Sequence, residues 1–393
     1  MVPDRALVRC ERIAAPMAHC ALLLLAVAPL VVVVDANANI AGVASLAVIA
    51  GAYRSQKPAS EGQGEVMSRA DATKFPLIGS CVLFGAFLAF KFLPKELLDV
   101  VFGAYFAFLG TAAIASVLAP CAHRFLFFAR DLRSHALFVV PKIKWINDEK
   151  WTCECTAAEA IATAFAAGVS YWYVTKKHWL ANNAIGLAFS LQGMEYLTID
   201  SVQIGAILLS GLFVYDIFWV FCTPVMVSVA RSFDAPIKLL FPRVASSAIA
   251  NAEKPFSMLG LGDIVIPGLY VAMILRMDAA RAKAAAPPRV ALTRSASKSA
   301  ARAPKAATKG QGAPKYFPSV ALGYVAGIVT TIVVMNVFNA AQPALLYIVP
   351  GVLGATLIRA ALAREIPAVW AYCEGLEQAQ IERDAAEDAK KIK

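Results

Sequence analysis

The 393-residue chain is 59% hydrophobic and only 16% charged, with a mean hydropathy of +0.62, whereas soluble domains carry about 25% charged residues. That balance excludes an ordinary soluble enzyme, and at about 20 residues per membrane span it leaves room for loops but for no large soluble domain. The net charge of +10 is mostly local: nine basic residues stand against Asp278 alone between Met277 and Lys315. A basic total concentrated in one loop speaks to membrane topology rather than to nucleic acid.

The first 53 residues are apolar but interrupted. Ala14–Val34 and Ile40–Tyr53 are separated by Asp35, Asn37 and Asn39, and three readings stay open. They are one long broken span, a hairpin of two spans, or a signal peptide cut after Ala36-Asn37-Ala38 behind the basic start Arg5, Arg9 and Arg12. Each brings the chain out of the membrane at Arg54 on the same side. Residues 54–201 then hold four apolar runs, Phe75–Leu93, Leu97–Leu118, Ala157–Val174 and Trp179–Leu197. Residues 202–275 hold two more, Val202–Ala230 and Phe256–Leu275. A basic low-complexity linker follows over 276–316, punctuated by Pro287, Pro288, Pro304 and Pro314. Residues 317–364 carry Phe317–Phe338 and Pro343–Leu362, and 365–393 form a polar tail. With the N-terminal run taken as one span, the fold class is an all-α polytopic membrane protein with about nine transmembrane helices.

The loops alternate in charge. Arg54–Lys74, Pro120–Thr152, Thr198–Ser201, Arg276–Tyr316 and the C-terminus share one side, which holds most of the basic residues. The positive-inside rule assigns that side, and so the C-terminus, to the cytosol. The eight cysteines make no disulfide framework. Cys153 and Cys155 lack the second pair a zinc site needs, and His19, His123, His135 and His178 are scattered. Neither metal nor cofactor is expected.

Ionisable groups inside spans are costly and usually functional. Asp216 lies in Phe213-Val-Tyr-Asp-Ile-Phe-Trp-Val-Phe221, and Asp263 in Met258-Leu-Gly-Leu-Gly-Asp-Ile-Val-Ile-Pro267. Asp216 precedes Pro224 by eight residues and Asp263 follows Pro255 by eight. In antiparallel helices both would therefore lie about 12 Å from those prolines, at one depth. Two facing carboxylates in a low dielectric share one proton. The ionised member can take a proton from water while the other polarises a scissile carbonyl. Gly260 and Gly262 leave room for a substrate backbone. Taken alone, paired intramembrane carboxylates point first to helix-to-helix hydrogen bonding or to an ion- or proton-coupled carrier. Glu195 and Gln192 read as helix-to-helix hydrogen-bonding groups, and Trp145, Trp151 and Trp172 as interfacial aromatics.

A third element changes that balance. Gln342-Pro343-Ala344-Leu345 opens the last span with a proline, which disrupts the helix start. Tyr215-Asp216, Gly260-Leu261-Gly262-Asp263 and Pro343-Ala344-Leu345, in that order on three apolar segments, resemble the GxGD intramembrane aspartyl proteases. Within that group the likeness is to the signal peptide peptidase family. Lys177-His-Trp-Leu-Ala-Asn-Asn183, Phe233-Asp-Ala-Pro-Ile-Lys-Leu-Leu-Phe241 and Ala341-Gln-Pro-Ala-Leu-Leu-Tyr-Ile-Val-Pro350 are similar to that family's text, from about Arg54 to Leu362.

The resemblance implies nine spans, with Asp216 and Asp263 as catalytic residues on the sixth and seventh. It implies hydrolysis of membrane-embedded helices, signal-peptide remnants among them, in the endoplasmic reticulum. Tyr215, Gly260, Leu261, Gly262, Gln342, Pro343, Ala344 and Leu345 are the expected supporting residues. Expected partners are transmembrane-helix peptides, the lipid bilayer and, as an open option, further copies of the chain; nucleic acid is not among them. The connection Arg231–Pro255 is short, unlike the long cleaved loop of presenilins, and the linker Ala284–Ala313 is longer than the family usually has. Lys390-Lys391 near the C-terminus resemble a dilysine retrieval signal.

Overall fold

The structure is a computed structural model that describes residues 17–31, 34–56, 65–125, 135–140, 151–223, 225–226, 229, 235–243, 256–285, 315–338 and 342–375. The expectations on the basic start of the chain, most of the low-complexity linker and Lys390-Lys391 lie outside those residues. The described part is mostly helical. Helix α1 (Met17–Leu30) ends in a 3₁₀ turn, and α2 (Ala36–Arg54) follows. Next come α3 (Arg69–Phe92), α4 (Lys95–Phe125), α5 (Ala157–Lys176), α6 (Trp179–Tyr196) and α7 (Val202–Phe221). The last four are α8 (Gly262–Ala285), α9 (Phe317–Phe338), α10 (Leu345–Ala363) and the short α11 (Ile366–Trp370).

Among the described residues six helices are long and apolar enough to cross a membrane: α2, α3, α4, α7, α9 and α10. Three more helices, α5, α6 and α8, stand where the sequence places further spans. Helix α6 carries the buried Asn182, Asn183 and Ser190, and α8 carries Asp263, Arg276 and Asp278. In α6 and α8 these polar groups are turned toward protein, which lowers mean hydropathy without making the helix surface polar.

Local chemistry explains most helix starts. Asp35 accepts the amides of Asn37 and Ala38 at the head of α2. Ser68 with Asp71, and Thr156 with Glu159, form reciprocal capping boxes on α3 and α5. His178 accepts the Leu180 amide before α6, and Ser201 that of Ile204 in α7.

Helix α2 lies at the centre, against α8, α6 and α9. It can do so because most of its buried residues are small, Ala36, Ala44, Ala47, Ala50, Gly51 and Ala52, with Ile40, Val43 and Val48 among them. Association in lipid depends on such close backbone approach. The fully buried Met194 of α6 fills the slot this creates. A Cβ on Gly51 would lie 2.1 Å from its Cε, and one on Gly268 of α8 2.3 Å from its Sδ. Helix α1 rests on α2, with Leu25 over Gly42. Outside this core, α3 leans on α7, and α4 on α5 and α6.

Three short two-stranded sheets depart from the all-helical expectation. Strand β1 (Glu65–Met67) pairs in parallel with β4 (Leu197–Ile199), and β2 (His135–Val140) pairs antiparallel with β3 (Trp151–Cys155). Strand β5 (Lys238–Pro242) pairs antiparallel with β6 (Phe256–Gly260). Segment 256–260, expected as the start of a helical span, is therefore extended. Gly260 and Gly262 weaken a helix there, and pairing with β5 supplies the backbone hydrogen bonds.

Four of the five loop ends expected on one side, those at 54–67, 197–201, 276 and 374, gather at one end of the bundle. Arg54 donates to Glu195 at 2.6 Å, both largely buried, so Glu195 serves a helix-to-helix bond as expected. Arg276 pairs with Glu374 and donates to the Ile199 carbonyl. The Asp278 carboxylate accepts the Tyr316 and Phe317 amides at 2.7 and 2.8 Å, capping α9. Arg281 and the Tyr316 hydroxyl both reach Glu365. The Arg281 hydrogen bond holds the Glu365 carboxyl below the usual glutamate range. At the opposite end Arg243, Ser257, Asn37 and Asn336 form a polar chain that ties β5, β6, α2 and α9 together.

Candidate active site

Asp216 and Asp263 come from different kinds of backbone. Asp216 sits well inside α7 and is 4% exposed. Asp263 is the second residue of α8, half-buried and beside the exposed Gly262. Leu261 starts that helix: its carbonyl accepts the Ile264 and Val265 amides at 3.0 and 2.8 Å, and its own amide donates to the Ile237 carbonyl at 2.9 Å. Strand β6 therefore runs straight into the turn that carries Asp263. The two carboxylates lie within coulombic reach of each other.

The Pro343-Ala344-Leu345 segment meets Asp216. Ala344 is a turn and Leu345 the first residue of α10. The first amides of a helix have no intrahelical partner, and the Leu345 amide donates to Asp216 Oδ2 at 3.2 Å. Pro343 contributes no amide at all, and its carbonyl accepts that of Leu346 at 3.2 Å. The helix N-terminus of α10 thus points at one carboxylate, where its dipole favours negative charge. Gln342 is turned aside, its side-chain oxygen accepting the Tyr347 hydroxyl at 3.4 Å.

The other expected residues fall around this centre. A Cβ on Gly260 would stand 3.3 Å from Asp263 Oδ2, so glycine keeps that carboxylate free to turn. A Cβ on Gly262 would meet nothing within 4 Å, an open approach to the site. Leu261 packs on α6 beside Gly186. Tyr215 is half-buried, its ring edge near Gly79 of α3 and its centroid 6.4 Å from that of Trp219. It orders the α3–α7 contact next to Asp216 and makes no hydrogen bond to either carboxylate.

Two sets of residues have roles the motif reading leaves unassigned. Asn182 and Asn183 of α6 hold the outer edge of β5. Asn182 donates to the Lys238 carbonyl at 2.7 Å, while Asn183 donates to the Leu240 carbonyl at 2.7 Å and accepts its amide at 2.8 Å. The quoted segments 177–183 and 233–241 are thus joined in space, the second over its described residues. The other set is the crossing of α9 and α10. A Cβ on Gly323 would lie 2.3 Å from the Gly351 carbonyl oxygen, and one on Gly327 2.6 Å from Ile348 Cα. The Gly323-x-x-x-Gly327 spacing was the available signal. This crossing places Tyr324 so that its hydroxyl donates to the Asp263 carbonyl at 3.1 Å.

A helical membrane protein that brings two carboxylates, a broken helix start and a short strand together carries the parts of an intramembrane aspartic protease. Comparison with known proteins gives the same class. A family profile described as signal peptide peptidase matches residues 59–375. Signal peptide peptidase of Mus musculus is 36% identical over 335 residues, 84% of this chain and 81% of that protein. The Homo sapiens protein of the same name is 35% identical over the same shares. Intramembrane protease 2 of Caenorhabditis elegans is 44% identical over 217 residues, 55% of this chain and 43% of that protein. The chain belongs to the signal peptide peptidase family of multi-pass membrane proteins and is an intramembrane aspartic protease. The carrier reading of its carboxylates is set aside.

Proposed function

We propose that the chain hydrolyses peptide bonds within transmembrane helices, signal-peptide remnants in the endoplasmic reticulum membrane among them, with Asp216 and Asp263 as the catalytic pair. The observation that carries this is the Leu345 amide on Asp216 Oδ2, which ties the Pro-Ala-Leu segment to one carboxylate while the other lies in reach. Asp216, already an acceptor, is the ionised member and Asp263 carries the shared proton. Asp216 takes a proton from water as the water oxygen bonds to the scissile carbonyl carbon. Asp263 gives its proton to the carbonyl oxygen, so a neutral gem-diol forms. The diol then collapses: Asp216 returns its proton to the amide nitrogen, the C–N bond breaks, and a diol proton passes back to Asp263.

A helical substrate must be unwound before its carbonyl can be attacked, and unpaired backbone groups in lipid cost several kcal/mol each. Strand β6 offers pairing. In the register Leu239↔Leu259 and Phe241↔Ser257, with Leu261 bonded to Ile237, the backbone groups of Met258 and Gly260 face away from β5. The far edge of β5 is taken by Asn182 and Asn183. An extended substrate segment therefore adds to the β6 edge, immediately before Asp263, with the start of α10 on its other side.

Nine spans follow when α1 and α2 count as one membrane-inserted element and α5, α6 and α8 cross with the six apolar helices. The basic loops and Lys390-Lys391 support a cytosolic C-terminus and retrieval to the endoplasmic reticulum, and self-association of the chain belongs to the same proposal. The test is hydrolysis of a membrane-embedded helical peptide by Asp216→Ala and Asp263→Ala. Each is expected to lose cleavage while still accumulating in the membrane, because neither carboxylate can take over the other's proton transfers. Substantial turnover by either single variant would overturn the pair.

A further inference from the structure

In an α-helix each carbonyl accepts the amide four residues on. For Asp263 that residue is Pro267, inside α8, and proline has no amide hydrogen. The Asp263 carbonyl therefore loses its helical partner at the residue whose side chain sits in the site. The missing donor comes from another helix. Tyr324 of α9, 1% exposed, directs its hydroxyl to that carbonyl at 3.1 Å. Its position is set by the glycine crossing on either side of it, where Gly323 and Gly327 bring α9 against α10.

We infer that Tyr324 is a positioning residue for the reaction: its hydroxyl replaces the hydrogen bond that Pro267 removes and so fixes the first turn of α8, and with it the Asp263 carboxyl. The inference rests on the proposed role of Asp263. The arrangement has a use. A proline at 267 frees one carbonyl in the first turn of α8, so this turn is held from α9, the helix that also packs on the Asp216-binding start of α10. The two carboxylates are thereby located from one pair of helices, α9 and α10. Without the hydroxyl, a carbonyl in a dry environment is left unpaired, and the turn must shift to satisfy it. A misplacement of about 1 Å can cost on the order of 100-fold in rate.

The experiment is a double-variant cycle on the full chain in bilayers, with cleavage of one helical peptide resolved into kcat and KM. Tyr324→Phe keeps the ring and removes only the hydroxyl, and it is expected to lower kcat about tenfold with little change in KM. Pro267→Ala restores an amide opposite the Asp263 carbonyl, so adding Tyr324→Phe to it should change kcat by less than about twofold. Comparing Pro267→Ala with the double variant decides the matter even where Tyr324→Phe alone accumulates poorly. Wild-type kcat in Tyr324→Phe, or an equal loss in both backgrounds, would overturn the inference. Asp263→Ala is assayed alongside. Cleavage by that variant would instead remove the proposed catalytic role of Asp263, a different failure from an uncoupled tyrosine and proline.

Discussion

Asn183 gives a sharp test of how the site is held, because one side chain makes two backbone bonds to β5. Asn183→Ala removes the donor to the Leu240 carbonyl and the acceptor of its amide together. Leaving a buried polar group unpaired costs about 1–3 kcal/mol. Leu240 is half-buried, so the low end applies, about 2 kcal/mol for the two groups. Spent on the placement of β5 and β6, that amounts to about a 30-fold loss in kcat/KM at 1.36 kcal/mol per factor of ten. The change occurs in a strand pair whose last residue lies three positions before Asp263, so it should appear in turnover of a membrane-embedded peptide. Asn183→Asp keeps the acceptor but sets a buried carboxylate oxygen against the Leu240 carbonyl, so its loss should be at least as large. Ser45→Ala, which removes only a bond to the Ala41 carbonyl within α2, serves as the control. Wild-type turnover by Asn183→Ala, with insertion and thermal stability intact, would refute the view that α6 positions the strand next to the site.

Two further outcomes are expected. Pro343→Leu lets α10 extend toward its N-terminus and draws the Leu345 amide away from Asp216 into the helix; it should impair cleavage while sparing insertion, and the gain from helix-weakening Gly, Ser or Pro in a substrate should shrink, as read by paired cleavage assays. Gly327→Leu places a side chain where even a Cβ stands 2.6 Å from Ile348 Cα and 2.9 Å from the Tyr347 carbonyl oxygen, so thermal stability and turnover should both fall sharply, whereas Gly354→Ala, with open space around it, should be tolerated in the same melting and cleavage measurements.

The helices of this protein were readable because span-length apolar runs carry their own signal. The Val202 start of α7 and both bounds of Phe317–Phe338 match the sequence reading, and Ser201 and Asp278 supply caps at those starts. Segment 256–260 reads as helix in the sequence but is a strand, because an apolar strand of five residues has no period that distinguishes it from the end of a span. What decides it is β5, a partner brought to it by Asn182 and Asn183 from a helix far earlier in the chain. The eight-residue offsets of Asp216 and Asp263 from Pro224 and Pro255 hold at about 1.5 Å per residue only in helix, and Asp263 is instead the second residue of α8, after a strand. The pairing of Asp216 with Leu345 was half visible. Pro343 marks an irregular helix start, but only the fold aims the Leu345 amide. Tyr324 carries no local signal at all; its bond to the Asp263 carbonyl depends on the Gly323–Gly351 crossing and on Pro267 in another helix.

The central claim is that Asp216 and Asp263 together bind and activate one water at a peptide carbonyl. The most direct measurement is capture of the membrane-solubilised protein by an immobilised peptide isostere whose hydroxyl-bearing carbon mimics the tetrahedral gem-diol. Wild type is expected to bind and to be released by free isostere. Asp216→Ala and Asp263→Ala are each expected to lose that binding, since the hydroxyl needs both carboxyls. Retention of wild-type affinity by either single variant, in protein that remains folded after solubilisation, would contradict the account.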